Sequence, residues 1–144
     1  MKIKYFKLKN WFYVAIGSLL GMNLSCEGVA CEYGVPEQTY RVKGEVTNSV
    51  GEPINGILVK LAFDSTMTDN QGHYDISTKQ FPNYDTMDLE FIDVDSIDNG
   101  HYADTIVNVS FRNITPTNGD GNWNYGTATV SQDVEMREIM PDDK

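Results

Sequence analysis

From Thr39 onward, apolar and polar residues alternate in short runs. In Thr39 to Thr47, Tyr40, Val42 and Val46 interleave with Arg41, Lys43, Glu45 and Thr47. A two-residue period turns one side of a strand to a core and the other to water. Ile57, Val59 and Leu61 continue the pattern, followed by a short strand near Thr66 to Thr68 and another over His73 to Ser77. Further strands are predicted over Met87 to Val94, Ala103 to Phe111 and Gly126 to Met136. In the last, Ala128, Val130, Val134 and Met136 share one face. Turn signals lie between the runs. In Asn48-Ser49-Val50-Gly51-Glu52-Pro53, Gly51 tolerates positive φ and Pro53 lacks a ladder donor. Asp69-Asn70-Gln71-Gly72 reads as a hairpin turn. No later segment holds a helical period. The pattern predicts an all-β fold, a single seven-stranded antiparallel β-sandwich over residues 39–138, with a short polar tail over 139–144.

Residues 1–25 are organised differently. Lys2, Lys4, Lys7 and Lys9 precede an apolar run, Trp11 to Leu20, broken only by Gly17 and Ser18. Gly21 to Ser25 is small and turn-prone, and Cys26 follows. Charge, apolar core and small residues in that order make a secretory signal. The run is about half of the roughly 20 residues that a membrane-spanning helix needs. Asn23-Leu24-Ser25-Cys26 resembles the lipobox of bacterial lipoproteins, with Asn23 where an aliphatic residue is usual. This predicts cleavage before Cys26, lipidation of Cys26, and a tether over 26–38 that holds the domain to a membrane. The alternative is ordinary cleavage that leaves a free thiol. Cys31 is then unpaired in the tether and is a candidate for modification.

Charge separates the two regions. The whole chain carries a net charge of −10. Beyond Cys26, seven basic residues face all 21 acidic ones. So acidic a domain is repelled by nucleic acid and by anionic lipid. The acids are dispersed, as on a soluble exported surface. The length after the leader suits one domain.

Val42-Lys43-Gly44-Glu45-Val46, Gly51-Glu52-Pro53-Ile54-Asn55-Gly56-Ile57 and Thr68-Asp69-Asn70-Gln71-Gly72-His73-Tyr74 resemble the carboxypeptidase regulatory-like domain. That resemblance implies a transthyretin-like sandwich, and modules of this kind are mostly non-catalytic. A second resemblance runs the length of the chain. It rests on Ala30-Cys31-Glu32-Tyr33-Gly34-Val35-Pro36, Tyr40-Arg41-Val42-Lys43-Gly44, Asp93-Val94-Asp95 with Asn99-Gly100, and Gly119-Asp120-Gly121-Asn122-Trp123. These look like a family of lipoproteins encoded beside a radical SAM enzyme in Gram-negative gut-type anaerobes. It implies that enzyme as a partner and a lipid-anchored place in the cell envelope, in the outer membrane. The membrane face is left open.

Candidate chemistry is sparse. Transthyretin-like hydroxyisourate hydrolases need a histidine-rich site, and intradiol dioxygenases hold iron with two Tyr and two His. This chain has only His73 and His101, both expected in exposed loops. No nucleophile and base stand in a recognisable setting, so no catalysis and no cofactor are expected. The best metal candidate is a calcium loop in which Asp93, Asp95, Asp98 and Asn99 converge. Ile97 fills an expected ligand slot and no bidentate Glu follows, so a solvated turn at Asn99-Gly100 is the preferred reading.

Asp precedes Ser or Thr four times, at Ser65, Thr86, Ser96 and Thr105, each followed by Thr, Met or Ile. All four match an O-glycosylation sequon of exported proteins from the lineage named above. Ser96 lies in the most polar stretch and is the foremost site. The alternative is that these pairs are ordinary turn formers. Together the chain reads as a binding or scaffolding lipoprotein without catalysis of its own. The alternative is a substrate of the neighbouring radical SAM enzyme, modified near Cys31 to Pro36.

Overall fold

The computed structural model describes residues 34–95 and 100–140. Eight strands follow in order: β1 (Glu37–Thr47), β2 (Ile57–Leu61), β3 (Asp64–Met67), β4 (His73–Gln80), β5 (Thr86–Asp93), β6 (Thr105–Ser110), β7 (Asn124–Ser131) and β8 (Val134–Glu135). There is no helix among the described residues. One sheet has the order β4-β1-β7, with β8 also on β1; the other has the order β3-β2-β5-β6.

The alternation in the sequence becomes burial. In β4, Tyr74, Ile76 and Thr78 are buried while His73, Asp75, Ser77 and Lys79 are exposed. The inner faces meet in one core. Tyr40 and Val42 of β1 and Leu89 and Phe91 of β5 are fully buried there. Full burial of a side chain such as Phe91 stabilises the fold by roughly 1.5–3 kcal/mol. Aromatic edges knit the layers: Tyr40 meets Phe111 with ring centres 4.9 Å apart, and Tyr74 meets Phe91 at 5.4 Å.

The all-β sandwich is as expected, with three refinements. First, the last predicted strand, Gly126 to Met136, is two strands. Both run along β1 in one register, Val42 opposite Val130 and Val46 opposite Val134. Between them the Asp133 carboxylate, in place of a carbonyl, accepts the Glu45 N–H at 3.0 Å. Second, β1 and β7 are parallel, whereas the other pairs within strands β1 to β6 are antiparallel. β6 stops at the end where β1 begins, and residues 111–123 carry the chain there to the other sheet, so β7 starts beside Glu37. Third, Asp69 to Gly72 is a turn, but it is not a hairpin. β3 pairs with β2 and β4 pairs with β1, so the turn carries the chain from one sheet to the other. The Asp69 carboxylate takes the Gln71 and His73 N–H groups at 2.8 and 2.9 Å and holds that crossing.

Candidate functional site

An open groove of about 730 Å³ lies at the end of the sandwich where β4 begins. Lys43, Glu45, Asp69, His73, Tyr74 and Asp133 are among its lining residues. Strands β1 and β4 place them by pairing Gly44 with Tyr74 and Glu45 with His73. Gly44 is required here by close approach. A Cβ at 44 would lie 1.9 Å from the Gln132 carbonyl oxygen. That oxygen accepts the Tyr74 hydroxyl hydrogen.

Three carboxylates of this groove, Asp69, Asp75 and Asp133, have structural partners. Asp75 pairs with Arg41 across the outer face of the sheet. The Arg41 hydrogen bond holds the Asp75 carboxyl below its usual range. Asp69 is also held low, by the His73 and then the Gln71 backbone N–H groups. Asp133 is bound to the Glu45 N–H. Burial pushes the Tyr74 hydroxyl up, and the Asp133 charge adds to this. Tyr74 is therefore a neutral hydrogen-bond donor over the physiological range, not a base. His73 is exposed, its Nδ1 3.9 Å from Asp69. This arrangement ties loops to strands. It supplies charged and polar contacts at a surface, and no nucleophile paired with a base.

The residues singled out in the sequence are scattered. Cys26 and Cys31 lie outside the described residues, as do Ser96, Asp98 and Asn99. Of the calcium candidates, Asp93 and Asp95 are described. Asp93 Oδ2 accepts the Tyr102 N–H at 2.8 Å, and the Asp93 N–H reaches Asp104 at 3.3 Å. Asp93 thus joins the two sides of its own loop. No group of three or more His, Cys, Asp or Glu is placed to hold a metal among the described residues. Ser65 is exposed on the edge strand β3, and Thr86 is exposed at the start of β5. Thr105 is half-buried and its hydroxyl donates to the Ala103 carbonyl at 3.0 Å. His101 is exposed, and its carbonyl accepts the Ile139 N–H.

Two polar side chains that the sequence did not flag do much of the joining. Thr68 is buried; its hydroxyl donates to the Ile54 carbonyl at 2.8 Å and accepts the Ile57 N–H at 2.9 Å. The Tyr40 hydroxyl donates to the Phe81 carbonyl and accepts the Tyr84 N–H, clasping the loop between β4 and β5. For Tyr40 the only sequence signal was a polar atom on a face predicted to be buried; Thr68 carried no such signal.

No family model matches the chain, and no curated protein matches it. Among solved structures, it is similar to a streptococcal ancillary pilin at 16% identity and TM-score 0.36, over 70% of this chain and 33% of that one. It is also similar to a minor pilin of the Gram-positive pathogen Streptococcus agalactiae at 14% identity and TM-score 0.38, over 76% of this chain and 48% of that one. The chain thus spans about a third and about half of these two proteins. A likeness of this extent carries no functional argument.

Proposed function

We propose that this chain is a lipid-tethered module of the bacterial cell envelope that binds or scaffolds a partner and performs no catalysis itself. The observation that carries the reading is Cys26, set at the end of a basic and apolar leader and shortly before a sandwich whose first strand opens at Glu37. An anchored cysteine, a short tether and a folded domain are the parts of a membrane-held binding module. In this groove Asp69, Asp75 and Asp133 are committed to backbone and ion-pair partners, which supports a non-catalytic role.

The sequence resemblance supports a radical SAM enzyme as partner, with Cys31 to Pro36 as the stretch on which it would act. Intact-mass measurement of the mature protein from its host tests both readings. An acyl mass on a chain that begins at Cys26 is expected. A further mass on Cys31-Glu32-Tyr33, beyond lipid and glycan, favours the substrate role. A chain without the acyl mass contradicts the tether.

A further inference from the structure

Among the described residues, the exposed large aromatics are Phe63, Phe81, Tyr84, Trp123 and Tyr125. Strand register gathers them at one end of the sandwich. Gln38 pairs with Gln80, Glu37 with Asn124, and Thr86 with Ser110. So β1 starts, β4 stops, β5 starts, β6 stops and β7 starts at the same end. Phe81 and Tyr84 sit in the loop after β4, and Trp123 and Tyr125 flank the start of β7. Phe63 lies in the turn between β2 and β3, 94% exposed. Its neighbour Ala62 shares a groove of about 250 Å³ with Tyr84. Val35 and Phe81 line another, of about 230 Å³. Trp123 lies against Gly34, where a Cβ would stand 3.6 Å from the ring. The Trp123 carbonyl accepts the Glu37 N–H at 2.8 Å.

The chain runs from this same end toward Cys26. Residues 27–33 can span at most about 3.3–3.6 Å each. A lipid on Cys26 therefore keeps the aromatic end within about 30 Å of the bilayer. Acids stand at both ends. Glu52, Asp69, Asp93, Asp133, Glu135 and Glu138 are at the opposite end. At the aromatic end, Glu37 is paired with Lys79 at 2.8 Å and Asp85 with Arg112 at 2.9 Å. There too Asp64 is exposed beside Phe63, Asp88 accepts from Asn108 at 2.7 Å, and Asp120 accepts the Asn122 and Asn124 N–H groups. Trp and Tyr favour the headgroup layer, where an apolar ring body and a polar tip are both satisfied.

We infer that this end is a membrane-contact surface: Trp123, Phe81 and Phe63 enter the headgroup layer of the bilayer that holds the Cys26 lipid. The inference rests on the lipid-tether reading. The contact gives the domain a fixed orientation, aromatic end down and acidic groove toward the aqueous side.

Trp123 is a built-in reporter, since the other tryptophan, Trp11, belongs to the leader. The full chain is matured in a Gram-negative host, checked for its acyl mass and reconstituted in phosphatidylcholine vesicles carrying brominated chains. Trp123 emission is expected to move to shorter wavelength than in the soluble Cys26→Ala protein, and to lose most of its intensity to bromine. Changing both Phe63→Asp and Phe81→Asp, on an acylated protein, is expected to restore most of that intensity. Acylated protein with unquenched emission overturns the contact surface and leaves the tether standing. A shift without quenching means that a second copy or residues 27–33 cover the ring, and overturns it equally. Quenching unchanged in the double variant removes Phe63 and Phe81 from the contact. A missing acyl mass overturns the tether and the contact together.

Discussion

Gly44 stands directly opposite Tyr74 in the β1–β4 register, and the space where a side chain would be is taken by the carbonyl that the Tyr74 hydroxyl binds. That carbonyl belongs to Gln132, where β7 gives way to β8. One position thus joins three strands.

Gly44→Ala is expected to destabilise the domain by roughly 3 kcal/mol or more, because the blocking atom is backbone and must be displaced. Lys43→Ala, on the exposed face beside it, should stay within about 0.5 kcal/mol. Urea unfolding of the two variants checks the contrast. Equal, small losses would show that the Gln132 carbonyl yields freely.

Thr68→Val keeps the side chain's shape and removes the hydroxyl. The Ile57 N–H and the Ile54 carbonyl would then be buried without their partner. The expected cost is about 3 kcal/mol. It should appear as a lower urea midpoint with an unchanged slope, since the surface exposed on unfolding stays the same. A loss under about 0.5 kcal/mol would show that water reaches both groups.

Acid should weaken the fold partly through Asp69 and Asp120. Backbone N–H groups hold both carboxyls below their usual range, those of His73 and Gln71 for Asp69 and those of Asn122 and Asn124 for Asp120. These bonds exist only in the folded chain, so the folded value lies below the unfolded one. Their contribution is complete above the unfolded value, about 3.9, and is lost as pH falls through the folded value. Melting temperature against pH, from about pH 5 to about pH 2, should fall less steeply for Asp69→Asn than for the unaltered protein. Parallel curves would rule the Asp69 turn out as a source of acid sensitivity.

If the four Asp-Ser and Asp-Thr pairs carry O-glycans, accessibility should rank them. Ser65, exposed on an edge strand, and Thr86, exposed at the start of β5, are expected to be occupied ahead of Thr105, whose hydroxyl is bound to the Ala103 carbonyl. Glycopeptide mass spectrometry on protein from the native host reads this directly. Thr105 occupied with Ser65 and Thr86 bare would reverse the ranking. Bare peptides at all four positions would contradict glycosylation of these pairs.

The strands were legible because a half-buried strand writes its two faces as an alternation, as in Tyr74-Asp75-Ile76-Ser77. What joins the strands was less so. Asp69 to Gly72 has the same turn chemistry whether the chain reverses within a sheet or passes to another, so its composition did not reveal the crossing. The turn between β2 and β3 uses Ala62 at φ 53° and Phe63, neither of which is a turn-forming residue type. The break between β7 and β8 depends on Gly44, distant in sequence. Asp93 was a calcium candidate by residue type, and the bond from the Tyr102 N–H to its Oδ2 could not be read from the sequence. The aromatic end is spread over three connections, and only strand register collects it.

The central claim is that a lipid on Cys26 holds a self-sufficient sandwich at a membrane. The most direct measurement is fractionation of cells producing the unaltered chain or Cys26→Ala, with a thermal melt of each purified protein. The account predicts that the unaltered protein stays with the membranes after a high-salt wash. It also predicts that Cys26→Ala leaves them while melting at the same temperature, since the first described strand begins at Glu37. Cys26→Ala protein that remains in the washed membranes would contradict the tether, and a large drop in its melting temperature would contradict the independence of the fold.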